Sequence, residues 1–231
     1  LILSGSTNVN GCKAAAQGGG VLLGDYTNPY LMSMFDSAAV TGNASAGYPH
    51  GGGIYVQGSS RLEMRGRSGL RNNTTVGYGG GIATGYGGSL AMYDDAEITE
   101  NTADTYSGGV YLYGGADRPH SLELYGNARI WNNHAQSGAG GVYYYYDNDI
   151  VVMKDHASIH DNTTASGYGG GIFFETALIT LLMSGSASIT GNAAGTPAPT
   201  GGGLYRGKVF LYENAQISGN TPDQCFESIG C

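Results

Sequence analysis

The stretch GGGIFFETALITLLMSGSASITGN, residues 169–192, contains the two segments that decide the fold. It begins with three glycines ahead of an apolar pair, and it ends with the pattern L-x-M-x-x-x-A-x-I-x-x-N. The same order of glycines, apolar pair and closing asparagine recurs, with variations, seven times along the chain. We therefore interpret the chain as a repeat protein before assigning a role to any single residue.

The repeat has a period of about 30 residues. The last glycines of the glycine clusters are 28 to 33 residues apart, and the closing asparagines are 28 to 32 residues apart. The glycines are Gly20, Gly53, Gly81, Gly109, Gly141, Gly171 and Gly203. The asparagines are Asn43, Asn73, Asn101, Asn133, Asn162, Asn192 and Asn220. Because both markers keep one period, the variation in length falls in the polar segments between them.

Apolar residues keep fixed positions inside each repeat and alternate with polar or aromatic residues. In the repeat that ends at Asn101 they are Ile82, Leu90, Met92 and Ile98. This alternation predicts short β-strands with one buried face, and a repeat of about three such strands must stack on its neighbours to bury that face. We therefore predict an all-β fold, a right-handed parallel β-helix of about seven to eight turns with one repeat per turn.

One domain accounts for nearly the whole chain. Residues 1–221 form the predicted β-helix, which begins in the middle of a turn, as expected for part of a longer chain. Residues 222–231 are expected to cap its C-terminal end, with Pro222 stopping the stacked strands. The closing asparagines are predicted to form an internal ladder, in which each side-chain amide bonds to turn backbone and to the same residue of a neighbouring turn.

Composition excludes several classes of protein. Only 12% of the 231 residues are charged and 42 are glycine, which disfavours helices because glycine costs about 1 kcal/mol per helical position. The net charge is −8 and there is no basic run, so nucleic acid is not an expected partner. No apolar stretch has the length of a transmembrane helix, and we expect no membrane-spanning segment.

The three cysteines, Cys12, Cys225 and Cys231, give no sign of a metal site. There is no C-x-x-C pair and no calcium-loop pattern, and we expect neither a metal nor a cofactor. A disulfide between Cys225 and Cys231 would close a small C-terminal loop and would fit an oxidising compartment. That pairing leaves Cys12 without an assigned role.

One turn position alternates between glycine and an acidic residue in successive repeats. The series is Gly5, Asp36, Gly66, Asp94, Gly126, Asp155, Gly185 and Glu213. Stacking like charges in adjacent turns would be unfavourable. We therefore interpret the alternation as a structural device that keeps the carboxylates apart.

The two boxes of the repeat resemble those of bacterial surface proteins. The glycine boxes read GGGIYV, GGGIAT, SGGVYL, AGGVYY, GGGIFF and GGGLYR, and the closing boxes read ITEN, IWNN, IHDN, ITGN and ISGN. They are similar to the GG[GA][ILV] and [I/F]xxN boxes of the chlamydial polymorphic outer membrane proteins, and still more to the repeats of many secreted or surface-anchored bacterial β-helix proteins. This resemblance covers essentially the whole chain and implies an extracellular stalk or adhesive surface. The chain departs from the chlamydial version in its aliphatic residue before x-x-N and in its few cysteines.

An aromatic column is the best candidate for a binding surface. The position after the inward Val or Ile of each glycine box should face solvent, and five of its seven residues are aromatic. We call these five residues the aromatic strip: Tyr55, Tyr111, Tyr143, Phe173 and Tyr205. Stacked in register, they would offer a flat surface to a glycan or to a protein on a host or neighbouring surface. Tyr78, Tyr106 and Tyr168 would extend that surface, although the preference of aromatic residues for strands could explain the column without any ligand.

The sequence thus favours a secreted or cell-surface structural and adhesive module without catalytic residues. The uncapped core strand at Leu1–Leu3 implies either preceding turns or a second subunit stacked head to tail. The alternative is a polysaccharide lyase or glycoside hydrolase on the same scaffold, by analogy of fold. Glycoside hydrolysis needs paired carboxylates about 5 to 9.5 Å apart, and a lyase needs acids clustered with a base, whereas the ten Lys and Arg residues are spread along the chain.

Overall fold

The computed structural model describes residues 1–25, 27–46, 50–114, 120–146, 149–195 and 201–231, and in these ranges the chain forms strands and turns without helices. Strands of successive repeats pair in parallel, for example Ile82 with Val110 and Leu90 with Leu122. The fold is therefore a parallel β-solenoid of about seven turns, each about 30 residues long, as the repeat predicts.

Each turn has strands at up to four positions, which we number in chain order. The first-position strands are β1 (Ile2–Leu3), β5 (Leu31–Met34), β9 (Arg61–Met64), β13 (Ser89–Met92), β17 (Leu122–Leu124), β21 (Ile150–Met153) and β25 (Thr180–Met183). The second-position strands are β2 (Asn8–Asn10), β6 (Ala39–Thr41), β10 (Gly69–Arg71), β14 (Glu97–Thr99), β18 (Arg129–Trp131), β22 (Ser158–His160), β26 (Ser188–Thr190) and β29 (Gln216–Ser218).

The remaining strands flank the glycine clusters. The third-position strands are β3 (Lys13–Ala14), β7 (Ala44–Ser45), β11 (Thr74–Thr75), β15 (Thr102–Tyr106), β19 (His134–Ser137), β23 (Thr163–Thr164) and β27 (Ala193–Ala194). The fourth-position strands are β4 (Val21–Leu23), β8 (Ile54–Gln57), β12 (Ile82–Gly85), β16 (Val110–Leu112), β20 (Val142–Tyr144) and β24 (Ile172–Phe174). They are followed by the long β28 (Leu204–Leu211) and by β30 (Cys225–Ile229).

Three sheets result from this stacking. The first- and fourth-position strands belong to one sheet, because β28 runs through both positions and joins them. The second-position strands form another sheet, and the third-position strands form the last. The core lies between the sheets: in a single turn Ile82, Leu90, Met92 and Ile98 are all fully buried. Each buried side chain of this size contributes about 1.5–3 kcal/mol through removal of apolar surface from water.

The seven asparagines form a continuous hydrogen-bonded ladder beside this core. The Oδ1 atom of Asn101 accepts the backbone N–H of Asn73 at 2.9 Å and its side-chain N–H at 3.0 Å. The Nδ2 atom of Asn101 donates to the carbonyl of Leu70 and to Oδ1 of Asn133, both at 3.0 Å. The same exchange links every pair of neighbouring ladder asparagines from Asn43 to Asn220. Because these amides are buried, the ladder satisfies polar groups that water cannot reach.

Other residues occupy the two ends of the ladder. Cys12 is exposed and unpaired, and its backbone N–H donates to Oδ1 of Asn43 at 3.0 Å. At the other end, Oε1 of Gln224 accepts both N–H groups of Asn220. The tail contains the Cys225–Cys231 disulfide. Its strand β30 pairs in parallel with β28, so stacking continues past Pro222 instead of stopping there.

The alternating turn position has a more specific basis than separation of charges. The backbone N–H of Gly66 donates to Oδ2 of Asp94 in the next turn at 3.0 Å, and Gly126 donates likewise to Asp155 at 2.9 Å. All eight residues of the series adopt the left-handed conformation, with φ between 58° and 72°. A Cβ at Gly66 would lie 2.9 Å from the backbone nitrogen of Asp36. The glycine therefore lets the turns approach, and the acidic residue satisfies the glycine's amide.

Candidate functional site

The aromatic strip is stacked in register along the fourth-position strands. Tyr111 pairs with Tyr143, and Tyr143 with Phe173, in the parallel register. The ring centroids of Tyr143 and Phe173 are 4.6 Å apart, and those of Phe173 and Tyr205 are 5.0 Å apart with nearly parallel planes. The column continues beyond Tyr205 to Phe226 in β30. The alternation pattern thus placed these side chains correctly on the outer side of the strands.

The expectation that the strip faces solvent is wrong. Its members are only 2 to 6% exposed, and together with Ala83 and Ala139 they form a second apolar cluster, separate from the core. Side chains of the two neighbouring columns cover them. On the glycine-cluster side Tyr78 stacks against Tyr111 at 4.8 Å, and Tyr106 lies 5.2 Å from Tyr143. Because rings from adjacent turns and columns shield one another, lying outside the coil does not make a ring accessible.

The accessible aromatic surface belongs instead to these covering side chains. Tyr86 is 47% exposed, and Tyr106, Tyr145 and Tyr168 are each 38% exposed. Together with the strip, Tyr78, Tyr113 and His50, these residues define what we call the tyrosine face. Two grooves lined by described residues open in it, each of about 280 Å³.

The first groove opens where a glycine interrupts one covering column. Gly85 pairs with Gln57 in the parallel register and leaves its turn without a side chain beside the strip. A Cβ at Gly85 would lie 2.1 Å from the hydroxyl of Tyr55. Tyr78, Tyr86, Tyr111, Tyr113 and Tyr145 line the groove together with His50.

The second groove opens at a glycine in the other covering column. Gly138 lies between Tyr106 and Tyr168, and a Cβ there would be 2.7 Å from a ring carbon of Tyr106. Ser137, Ser166 and Glu175 supply polar groups to this groove. The hydroxyl of Tyr143 donates to the carboxylate of Glu175. Burial is the main cause that raises the pKa of Tyr143 above its usual range, and this hydrogen bond is the second. The phenol therefore stays neutral.

A histidine replaces the missing ring of the strip at Ala83. The imidazole of His50 stacks on Tyr55 at 5.2 Å and faces Tyr111 at 6.3 Å. Burial among these rings lowers the pKa of His50 to about 3. The folded protein therefore holds His50 neutral at pH values where the unfolded chain protonates it.

Acidification should destabilise the protein through His50. The unfolded chain takes up a proton below about pH 6.5, so the stability that neutral His50 provides is complete above that pH. This contribution to stability declines as the pH falls towards 3. One proton sets an upper limit of about 1.4 kcal/mol per pH unit, and partial exposure of the ring makes the actual slope smaller. We expect His50→Phe, which keeps the stacked ring, to show a shallower loss of unfolding free energy between pH 7 and pH 5 in urea titrations. Equal losses in the two proteins would contradict this.

The remaining structural findings are negative and apply to the described residues. No group of three or more His, Cys, Asp or Glu side chains there is arranged to hold a metal ion. That part of the chain also contains no helix with the length and apolar character needed to cross a bilayer.

Sequence reasoning missed four of the twelve residues of this face, namely Tyr86, Tyr113, Tyr145 and His50. The rings of Tyr86, Tyr113 and Tyr145 follow the fourth-position strands, where the spacing between repeats becomes irregular. The signal that could have found Tyr113 and Tyr145 is the tyrosine run YYYY at 143–146, aligned with YLY at 111–113. That alignment places Tyr113 and Tyr145 in one column, and their centroids are 5.2 Å apart.

Comparison with known proteins adds no family assignment. No protein-family model, curated protein or solved structure matches the chain.

Proposed function

We propose that this chain is a non-enzymatic recognition module, secreted or displayed on a cell surface, whose tyrosine face binds a neutral glycan. The observation that carries the proposal is the pair of open grooves walled by exposed tyrosine rings. Aromatic rings with a polar tip suit ligands that present both apolar ring faces and hydroxyl groups. The similarity of the repeats to those of surface-anchored bacterial β-helix proteins supports the location.

The shape and charge of the face favour a glycan over a flat protein partner. Each groove has a volume of about 280 Å³, a scale that suits a small unit of a polymer, and the two grooves lie along the same stack of turns. Among the described residues that line them, Glu175 is the one carboxylate, and its oxygen already accepts a hydrogen bond from Tyr143. Such a surface offers stacking and hydroxyl contacts and little attraction for a charged ligand.

The enzymatic alternative finds less support in the same geometry. Glycoside hydrolysis requires a second carboxylate at a defined distance from the first, and the described lining of the second groove supplies Glu175 without such a partner. Release of soluble sugar products would nevertheless establish it, so the same experiment should measure them.

Removal of exposed wall tyrosines tests the proposal. We expect Tyr145→Ala and Tyr168→Ala each to weaken binding to a neutral oligosaccharide found on a glycan array by about tenfold or more, because truncating a central aromatic contact typically has such an effect. These residues suit the test better than the strip residue Tyr143, which is buried and whose replacement would disturb folding. Binding curves should be measured alongside assays for reducing and unsaturated sugar products.

The matched control is Tyr212→Ala, which removes a 55% exposed tyrosine from a first-position column away from the face. The control should bind as the unmodified protein does. Equal binding by all four proteins would refute a role for the tyrosine face. Appearance of sugar products would favour the enzyme, and electron microscopy of the same sample would show whether the rods also stack head to tail.

A further inference from the structure

A second concave surface lies on the face of the second-position strands. This cavity of about 530 Å³ is lined by Arg67, Arg71 and Arg129. Between and beside the arginines lie Asp95, Glu97, Asn127 and His156. We call these seven residues the arginine basin. The sequence suggests that basic residues are spread along the chain, but stacking of the turns brings these three together in a protein of net charge −8.

Outside the basin and the adjoining Trp131 and His160, the two outward columns of this face carry small or uncharged side chains. In the preceding turn the same two outward columns carry Ala39 and Thr41, which pair with Gly69 and Arg71. Two turns beyond β18, towards the C-terminus, the same two columns carry Ser188 and Thr190. Large charged side chains thus occupy these columns in only a few adjacent turns. Charges that served only solubility would be spread over all the turns.

Both carboxylates of the basin are already held by donors of the protein. Glu97 accepts from Nε of Arg71 at 2.7 Å, and from Arg129 and the Trp131 indole, both at 3.2 Å. Asp95 accepts from the side-chain amide of Asn127 at 3.0 Å. Glu97 therefore fixes the positions of two guanidinium groups, and the two carboxylates together do not neutralise three arginines.

Most of the guanidinium donors remain for a ligand. Each guanidinium has five N–H groups, and within the described part of the chain the exposed Arg67 side chain makes no ion pair or hydrogen bond. Arg71 lies across Gly69, where a Cβ would be only 2.2 Å from Cζ of Arg71. The glycine thus provides the space in which Arg71 reaches Glu97 of the next turn.

The mixture of groups limits the class of ligand. Guanidinium groups bind carboxylate and sulfate oxygens strongly and with defined geometry. The carboxylates, the amide and the imidazole around them suit hydroxyl donors and acceptors. A cavity of this volume is far larger than a single inorganic ion needs, since a water molecule occupies about 30 Å³ in the liquid. An anionic group attached to a hydroxyl-bearing body fits all three features.

We propose that the arginine basin binds an acidic sugar, with the carboxylate or sulfate of a uronic acid or sulfated saccharide held by Arg67, Arg71 and Arg129. This site lies on different strands from the tyrosine face and does not depend on its function. An acidic peptide is less suitable, because its side chains bring additional negative charge towards Asp95 and Glu97 without supplying hydroxyl donors.

Trp131 provides a direct probe of the basin. It is the one tryptophan of the chain, and its indole donates to Glu97. Titration with a galacturonic acid trisaccharide and with a sulfated disaccharide should change its fluorescence in a saturable way that weakens as salt is added. The neutral galactose trisaccharide should cause no change. Inorganic sulfate and a hexaglutamate peptide are titrated in parallel.

Two variants separate a built site from diffuse positive charge. Arg67→Gln removes an exposed guanidinium and should weaken acidic-sugar binding about tenfold or more. Gly69→Ala keeps every charge but displaces the flexible end of Arg71, so it should also weaken binding while leaving the melting temperature nearly unchanged. Lys154→Gln, an exposed basic residue outside the basin, is the matched control for loss of charge and should have no effect.

The outcomes divide clearly. Binding by the acidic sugars that is lost in both basin variants and kept in Tyr168→Ala supports the proposal and shows that it is independent of the tyrosine face. Equal loss in Arg67→Gln and Lys154→Gln, or no loss in Gly69→Ala, would show general electrostatic attraction and overturn it. Saturation by hexaglutamate or by sulfate at the same concentration as the sugars would overturn the assignment to an acidic sugar.

Discussion

Replacing Asn101 by alanine should destabilise the protein by about 3 kcal/mol or more, because it removes four hydrogen bonds of buried groups and leaves the backbone N–H of Asn73 without its acceptor. The backbone and side-chain N–H groups of Asn73 lose their acceptor, Oδ1 of Asn133 loses a donor, and so does the carbonyl of Leu70. Each lost hydrogen bond contributes about 0.5–1.5 kcal/mol, and a buried donor left unsatisfied costs about 1–3 kcal/mol. For a chain of this length the melting temperature should fall by roughly 6–12 °C, measured by circular dichroism.

The control for Asn101→Ala is Asn214→Ala. The side chain of Asn214 is exposed and makes no hydrogen bond within the described residues, so its removal should change stability by less than about 0.5 kcal/mol. If Asn101→Ala melts like Asn214→Ala, water has replaced the amide without loss, and the ladder does not determine stability. The ladder would then be a consequence of the stacking and not one of its causes.

The ladder could be predicted from the sequence because its geometry is local and repeated. Each asparagine follows an inward aliphatic residue by three positions, as Asn101 follows Ile98, and one period relates all the turns. Once turns stack in parallel, residues at equal offsets must become neighbours. The same reasoning correctly paired Tyr111 with Tyr143.

Exposure of the strip could not be predicted in the same way, because it depends on contacts between different columns. Tyr143 is buried, and rings lie on both sides of it. Tyr106, which precedes a glycine cluster, covers one side, and Tyr145, at the end of the same strand as Tyr143, lies on the other. Those segments vary in length between repeats, so a column alignment does not say which rings they bring over the strip. The arginine basin escaped prediction for the same reason, since Arg71 reaches Glu97 across both a turn and a column.

The second large effect is expected in the glycine clusters. Alanine at Gly80, where there is no room for a Cβ, should destabilise the protein more than alanine at a glycine with a left-handed backbone. A Cβ at Gly80 would lie 2.5 Å from the carbonyl oxygen of Gly108 and 2.6 Å from both the nitrogen and the oxygen of Thr102. All three are backbone atoms of the next turn, so relief requires the turns to separate locally and to weaken bonds such as that from the N–H of Thr102 to Asn73. Gly80→Ala should therefore cost about 3 kcal/mol or more, at or above the upper end for overpacking.

Gly42→Ala provides the opposite case, because Gly42 has a φ of 64° but nothing within 4 Å of the added Cβ. Only the left-handed conformation opposes that substitution, and about 1–2 kcal/mol is expected. Urea titrations of both variants would compare the two effects directly. A larger loss in Gly42→Ala would mean that the glycines serve mainly to allow the turn conformation. The expected larger loss in Gly80→Ala means that they serve mainly to let successive turns touch, which is the contact that aligns the ladder, the aromatic strip and the arginine basin.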